Sequence, residues 1–504
     1  MSNEVNAEMK DEEPGLVVRT LTPPSWTNDS DADALFLNED GHVDFAPEDL
    51  DNPKNWSPAR RWYIVIAALI LALNATYASS SPTGCFESIA EDLHVSVEAA
   101  GLVITLFLLG YCFGPLFWGP LSEFYGRRVV FLITFTLYLA FGFLCAFTPN
   151  FAGLLVGRFL TGSLVSSTLS NSPAVMADLL NADERGIGLA LFAVITLAGP
   201  ALGPIVSGFL QLKLDWRWSF YVLLWLAGGS FPFLLSLPET HPPTILLHKA
   251  RRARRENPRY EHVMTAAEAR GRSLRSILRV ALTRPWTIFF DLISFLFAIY
   301  STVAYTLLYM LFEIFPVVFQ QKRGWNSGVG ELPLLSVIIG GCMGGTVVCF
   351  QALRERKKTL TGWKRVPEDR LPVMIVAGFL FPISMFWFAW SGEYNGVPWI
   401  VVTLAATSLV FSLTMIMVSC LSYLVDCYLM YAASAMAVNT VCRSAGGAAS
   451  PLFTQYMYNR LGVGGGGSLV GGIAILLAVV PVMFYKYGDR IRKRSKFSPT
   501  GERK

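Results

Sequence analysis

Long apolar runs and short polar gaps alternate along most of this chain. The first run, "WYIVIAALILALNATYA", covers residues 62–78. Others follow at 96–118, 129–148, 153–177, 188–210, 218–236, 286–317, 331–350, 371–390, 397–424, 432–457 and 467–487. Each approaches or exceeds the roughly 20 apolar residues that a helix needs to cross a bilayer. No water reaches the lipid core to satisfy backbone amides, so each run predicts a membrane-spanning helix. The junction between the last two runs, "GVGGGGS" at residues 462–468, is rich in glycine and carries no charge.

The longest internal polar gap divides the runs into six and six. Residues 237–285 form a basic bridge in which Lys249, Arg251, Arg252, Arg254 and Arg255 stand close together. The expected organisation is an acidic disordered tail (1–55), a six-helix bundle (56–236), the bridge (237–285), a second six-helix bundle (286–487) and a basic tail (488–504). Asp178 ends the fourth run and Asp426 the tenth, the same helix in each half. Secondary transporters are built from repeated bundles of this kind.

Charge placement sets the expected orientation. Of 41 Lys and Arg, Arg158 and Arg443 lie inside apolar runs. Only Lys213, Arg217, Lys322, Arg323 and Arg460 fall in loops after odd-numbered runs. The rest occupy the tails, the bridge and the loops after even-numbered runs, so the positive-inside rule predicts both tails in the cytoplasm. The bridge bases then lie against anionic head groups or form a regulatory platform.

Composition narrows the function classes. The chain has 504 residues, 15% of them charged, and a mean hydropathy of +0.44. Soluble proteins carry about 25% charge. The residues before the first run are too polar for a signal peptide. Eight cysteines are scattered through or beside the runs, only Cys85 is expected outside, and no disulfide is expected. Sequons at Asn28, Asn55 and Asn74 fall in the tail or the first run, away from glycosylation. No phosphate-loop string is present, which argues against ATP drive. The five histidines avoid the apolar runs, so neither a metal cluster nor a cofactor site is expected. Nucleic acid is an unneeded partner, because topology already accounts for the bases.

Residues 119–128 read "GPLSEFYGRR", with Gly119, Pro120 and Gly126 predicting a tight reversal between the second and third runs. The string resembles the loop signature of the major facilitator superfamily, G-x-L-x-D-x-x-G-R-R, with Glu123 in place of Asp as in the fungal drug:proton antiporter branch. "GPALGPIVSGF" (199–209) looks like the antiporter motif of a fifth span, with Ser207 where glycine is common. Gly199, Pro200, Gly203, Pro204 and Gly208 then serve helix packing; the prolines interrupt the amide row that a phosphate cradle needs. "GRFLTG" (157–162), "LPETHPP" (237–243) and "LFEIFPVVF" (311–319) are similar to the twelve-span fungal branch as well. The resemblance runs from about residue 50 to 490 and implies the major facilitator fold: two bundles rocking about a central site. It also implies a cytosolic gate in which Glu123 and Arg127 or Arg128 pair with one another or with Asp178, with Asp426 at the matching place in the second half.

Charges at membrane depth are costly and mark function or tight pairing. Glu313, just before Pro316, is the expected proton or cation site, because a carboxylate there can load a proton on one side and release it on the other. Arg158 is expected to tune that coupling, and Arg443 to tie spans together or reach the cavity. Asn74, Tyr305 and Tyr309 line the cavity or pack and anchor their helices. The sequence thus predicts a monomeric, proton-coupled plasma-membrane exporter of a small organic solute: a secreted metabolite or organic acid, a drug or a polyamine. A carrier-like nutrient sensor without net transport is the alternative class. A membrane enzyme finds no nucleophile–base constellation.

Overall fold

The computed structural model describes residues 35–269, 271, 273–360 and 366–497. Among them the chain is all-helical, with only isolated β-bridges. The first half holds span 1 (Pro58–Ser80), span 2 (Leu102–Tyr125), span 3 (Arg127–Phe147), span 4 (Phe151–Leu179), span 5 (Ala182–Gln211) and span 6 (Arg217–Ser236). The second holds span 7 (Leu292–Phe315), span 8 (Leu335–Leu360), span 9 (Leu371–Glu393) and span 10 (Trp399–Tyr428). The helix Ala432–Arg494 completes it.

That last helix is too long for one crossing, since 63 residues would extend about 95 Å. Gly462 breaks it at φ 71°, ψ 173°, giving span 11 (432–461) and span 12 (463–494). The connection is thus a single residue instead of the glycine-rich loop the sequence suggests. Glu393 holds the turn: its Oε2 accepts from Gly464 N at 2.8 Å, while Oε1 accepts from Lys322 Nζ at 2.5 Å. An even number of spans brings the start of span 1 and the end of span 12 to one face, the termini face, opposite the far face.

Spans 2 and 4 meet backbone to backbone through Gly110 and Gly162, where an added Cβ would strike Ser163 N and Phe107 O. Glycine allows such an approach because it has no Cβ. Spans 7 and 11 meet in the same way through Gly446, against Thr302 and Thr306. Two seams join the halves. Span 5 packs on span 8, with a Cβ on Gly345 lying 3.6 Å from Val194. Span 11 packs on span 2, and a Cβ on Gly101 would lie 3.3 Å from Pro451. Under the equivalence of halves these seams exchange, 2 with 8 and 5 with 11.

Several boundaries differ from the sequence reading, three of them by more than an extended helix end. Residues 35–55 of the tail, expected to be disordered, make defined contacts, whereas 1–34 lie outside the described residues. Val43 N donates to Met264 O at 3.1 Å, and Lys249 Nζ meets Asp49 Oδ2 at 2.6 Å. The bridge forms the helix Pro242–Glu256, the short turns Pro258–Tyr260 and Ala266–Ala269, and most of the helix Leu274–Phe289; in the two longer helices apolar residues recur with helical spacing among the bases. Arg254 hydrogen bonds from the first of these hold the Glu268 carboxyl below its usual range, so the clasp persists until pH falls through that lowered value. Finally, span 7 begins at Leu292, not residue 286: Asp291 adopts extended backbone ahead of it and accepts from Tyr428 Oη at 2.5 Å.

The Gly462 turn yields a test. A side chain there is strained by about 1–3 kcal/mol, so Gly462→Val should lower the apparent melting temperature of the detergent-purified protein. Gly472→Ala, in open space within span 12, should leave it unchanged or higher.

Candidate functional site

The signature segment folds differently from a loop. Span 2 continues as helix through Gly119 and Pro120 to Tyr125, so those residues do not turn the chain. Nothing lies within 4 Å of a Cβ on Gly119. The reversal falls on Gly126 alone, at φ 100°, ψ 157°. A Cβ there would strike the carboxylate of Glu239, from the segment after span 6. Glu239 Oε1 accepts from Arg127 N at 2.9 Å, His241 N at 2.9 Å and Thr240 N at 3.0 Å, and Oε2 accepts from Arg128 N at 3.2 Å. A carboxylate at the start of span 3 satisfies amides that helix geometry leaves open and complements the helix dipole.

Arg127 is buried and turns inward. Its Nε lies 3.4 Å from Asp178 Oδ2, at the end of span 4, and Nη1 donates to Ser122 Oγ at 2.5 Å. Glu123 and Arg128 are exposed, and among the described residues Glu123 pairs with no base. The pair is therefore internal to the first half in this arrangement and does not itself tie the halves together. The second half repeats it: Arg370, before span 9, reaches Asp426 Oδ2 at 3.2 Å and Glu355 Oε2 at 3.1 Å. Arg492 of span 12 adds Glu368 at 3.0 Å. Each half carries its own ion cluster at the termini face.

The bonds that cross between halves lie towards the far face. Tyr309 Oη of span 7 donates to Ser79 Oγ of span 1 at 2.9 Å, and Ser327 Oγ donates to Gly208 O of span 5 at 3.2 Å. The motif of span 5 prepares this contact. Gly199 and Gly203 admit Thr76 and Ser80 of span 1 and Ser81 just beyond it, and Pro200 O accepts from Ser80 Oγ at 2.6 Å. Pro204, left without an N–H, still gives its carbonyl to Ser207 Oγ at 3.2 Å. Gly208 faces the other half, where a Cβ would come within 2.9 Å of Glu331 Cγ.

Glu331 escaped the sequence reading. It stands at the start of the predicted eighth run, where a carboxylate would ordinarily meet water. The structure buries it completely in the short helical segment Val329–Leu334. Oε1 accepts from Gln320 Nε2 at 2.8 Å, and Oε2 has no partner among the described residues. Glu239 was missed for the opposite reason: "LPETHPP" looks like an exposed turn, and nothing local in it tells which helix it caps.

The remaining candidates separate into two places. Arg158 is 1% exposed and donates to Val103 O at 3.0 Å and to Ala78 O at 2.9 Å, with its guanidinium 4.1 Å from the Phe107 ring centroid. Asn74 donates to Ser230 Oγ at 2.7 Å and joins spans 1 and 6. Both sit within the first half. Tyr305 and Tyr309, 5.2 Å apart, lie at the junction of halves, and the Arg443 guanidinium lies 5.2 Å from the Tyr305 ring. Glu313, two turns beyond Tyr305, is partly exposed and makes no hydrogen bond among the described residues. Beyond it Pro316–Lys322 forms a widened π-type turn, where an α-helix would have continued without the proline. Among the described residues no cluster of His, Cys, Asp and Glu is arranged to hold a metal ion.

Comparison with known proteins bears on this arrangement. The profile described as Major Facilitator Superfamily matches residues 63–451. An efflux pump of Gibberella moniliformis, FUB11, is 38% identical over 464 residues, covering 90% of this chain and 77% of that protein. The citrinin biosynthesis cluster MFS transporter mrr1 of Monascus ruber is 34% identical over 505 residues, covering 99% of this chain and 100% of its own. The major facilitator superfamily multidrug transporter mdrA of Aspergillus fumigatus is 36% identical over 451 residues, covering 89% and 74%. Among solved structures, the proton:xylose symporter XylE superposes with a TM-score of 0.61 at 18% identity, covering 86% of this chain and 96% of the symporter.

The Glu239 cap is open to measurement. Glu239→Ala removes the acceptor of several backbone amides and should cost about 1–2 kcal/mol, read as a lower melting temperature. Glu239→Gln, which keeps one carbonyl acceptor, should fall between the alanine variant and the native chain.

Proposed function

The chain belongs to the major facilitator superfamily, and we propose that it is a proton-coupled exporter of a small organic solute across the fungal plasma membrane. That it is a multi-pass membrane transporter, not an enzyme, follows from the family. The efflux assignment is carried by relatives named efflux pumps and multidrug transporters that align over about nine-tenths of this chain. It also favours a carrier over a nutrient sensor. The base-rich termini face is assigned to the cytoplasm by the positive-inside rule, with both tails there.

Alternating access suits the observed bonding. Cross-half hydrogen bonds through Ser79, Tyr309, Ser327 and Gly208 close the far face, as a cytosol-facing state requires. The Arg127–Asp178 and Arg370–Asp426 pairs hold each half rigid while the halves rock, and in the opposite state they are brought towards the seam as a gate. Such a device has two discrete arrangements, which a carrier needs. The unpaired carboxylate of Glu313 carries the proton. Each charge moving through 100 mV supplies about 2.3 kcal/mol, before any pH term. The working unit is the monomer, since each chain contains both halves.

Two readouts test this reading in fungal cells that accumulate a fluorescent cargo. A protonophore should abolish export by the native protein. Glu313→Gln should reduce proton-driven export to background while surface expression persists; full coupled export by that variant would remove Glu313 from the mechanism.

A further inference from the structure

Arginine stays charged under all physiological conditions, so one placed at membrane depth must find acceptors. Arg158 has found them: backbone carbonyls of spans 1 and 2 and an aromatic face take up its charge. Arg443 has not. It lies about three turns into span 11, partly exposed, with Nε buried and without a partner. Among the described residues, no carboxylate, carbonyl or hydroxyl accepts a hydrogen bond from its guanidinium. Its contact is the Tyr305 ring, 5.2 Å away.

The location gives that spare donor set a use. Gly447, one turn along span 11 on the same face, packs against both Tyr305 and Tyr309. Tyr309 in turn bonds to Ser79 across the halves. Arg443 therefore stands beside the contact that must break when the far face opens, at the depth where carriers of this architecture bind cargo. A planar guanidinium presents paired N–H donors that match the two oxygens of a carboxylate. The adjoining tyrosine ring offers a flat apolar wall.

We propose that Arg443 anchors a carboxylate-binding subsite, so that the cargo is a small organic anion with an aromatic or other flat apolar body seated against Tyr305. The assignment deepens the exporter reading and takes its biological sense from it. Arg158 contributes no part of the subsite, because it sits within the first half with Nε and Nη2 bonded to carbonyls of spans 1 and 2.

The test separates the two readings by using binding and flux independently. The full-length protein in detergent is titrated at neutral pH with 2-naphthoate and with its neutral isostere 2-naphthamide. The native chain should bind the carboxylate about tenfold more tightly, the scale of one hydrogen-bonded charge pair. Arg443→Gln should bring the two affinities together without changing that for the amide, and Arg443→Lys should keep part of the preference. Equal affinities in the native chain, no binding of 2-naphthoate, or a preference that survives Arg443→Gln would overturn the proposal. The native comparison needs no variant, so a misfolded substitution cannot hide the answer. Proteoliposome flux completes the separation. Arg443-dependent binding without proton-driven movement of 2-naphthoate would retain the subsite and defeat the exporter reading. Equal movement of both probes would retain the exporter and defeat the subsite.

Discussion

The absence of a hydrogen-bonding solvent in the lipid interior governs this molecule. Every backbone amide must be used within its own helix, which leaves side chains to join one helix to another. Small residues and short hydroxyl bonds do most of that joining here. Gly110, Gly162 and Gly446 admit neighbouring backbone or hydroxyl groups, while Ser80, Tyr309 and Ser327 send single hydrogen bonds across contacts. Charged pairs gather at the two faces, Arg127–Asp178 and Arg370–Asp426 at the termini face and Lys322–Glu393 and Arg217–Asp92 at the far face, where water relieves the cost of burying them. That division leaves the membrane-depth seams sparsely bonded, a condition for sliding or rocking without breaking many strong interactions.

The same constraint made most of the fold legible. Apolar runs of spanning length can adopt little else, so the spans and the division into two halves followed from pattern alone. Boundaries were less accessible. Polar residues extend several helices beyond the apolar runs, as at 488–494, because helix continues into water once nucleated. Gly119 and Pro120 looked like a turn by residue type, yet proline is tolerated in a membrane helix whose neighbours satisfy the freed carbonyl. The bridge was read from its charges, which hid the helical spacing of its apolar residues.

Site residues were legible where their placement violates lipid solubility. Arg158, Glu313 and Arg443 stood out because charge is rare inside apolar runs, but their roles depend on what surrounds them. Arg158 finds backbone carbonyls supplied by two other helices, an arrangement that no spacing along span 4 encodes. Glu331 shows the converse, since Gly208, more than a hundred residues earlier in the sequence, packs over it while Gln320 takes up its Oε1. The paired Arg127–Asp178 and Arg370–Asp426 contacts lie between these extremes: the matching acids were visible as a repeat, whereas Arg370 was not singled out.

The one-residue connection at Gly462 reaches beyond the finished structure, into how the chain is assembled during synthesis. Spans 11 and 12 have no intervening loop in which a translocating chain can pause, so the two helices must enter the bilayer together as a hairpin. Arg443 lies inside that hairpin and enters lipid with it. The apolar surface of span 12 then helps carry an arginine that span 11 must insert, and the last helix acts as the insertion partner of its predecessor.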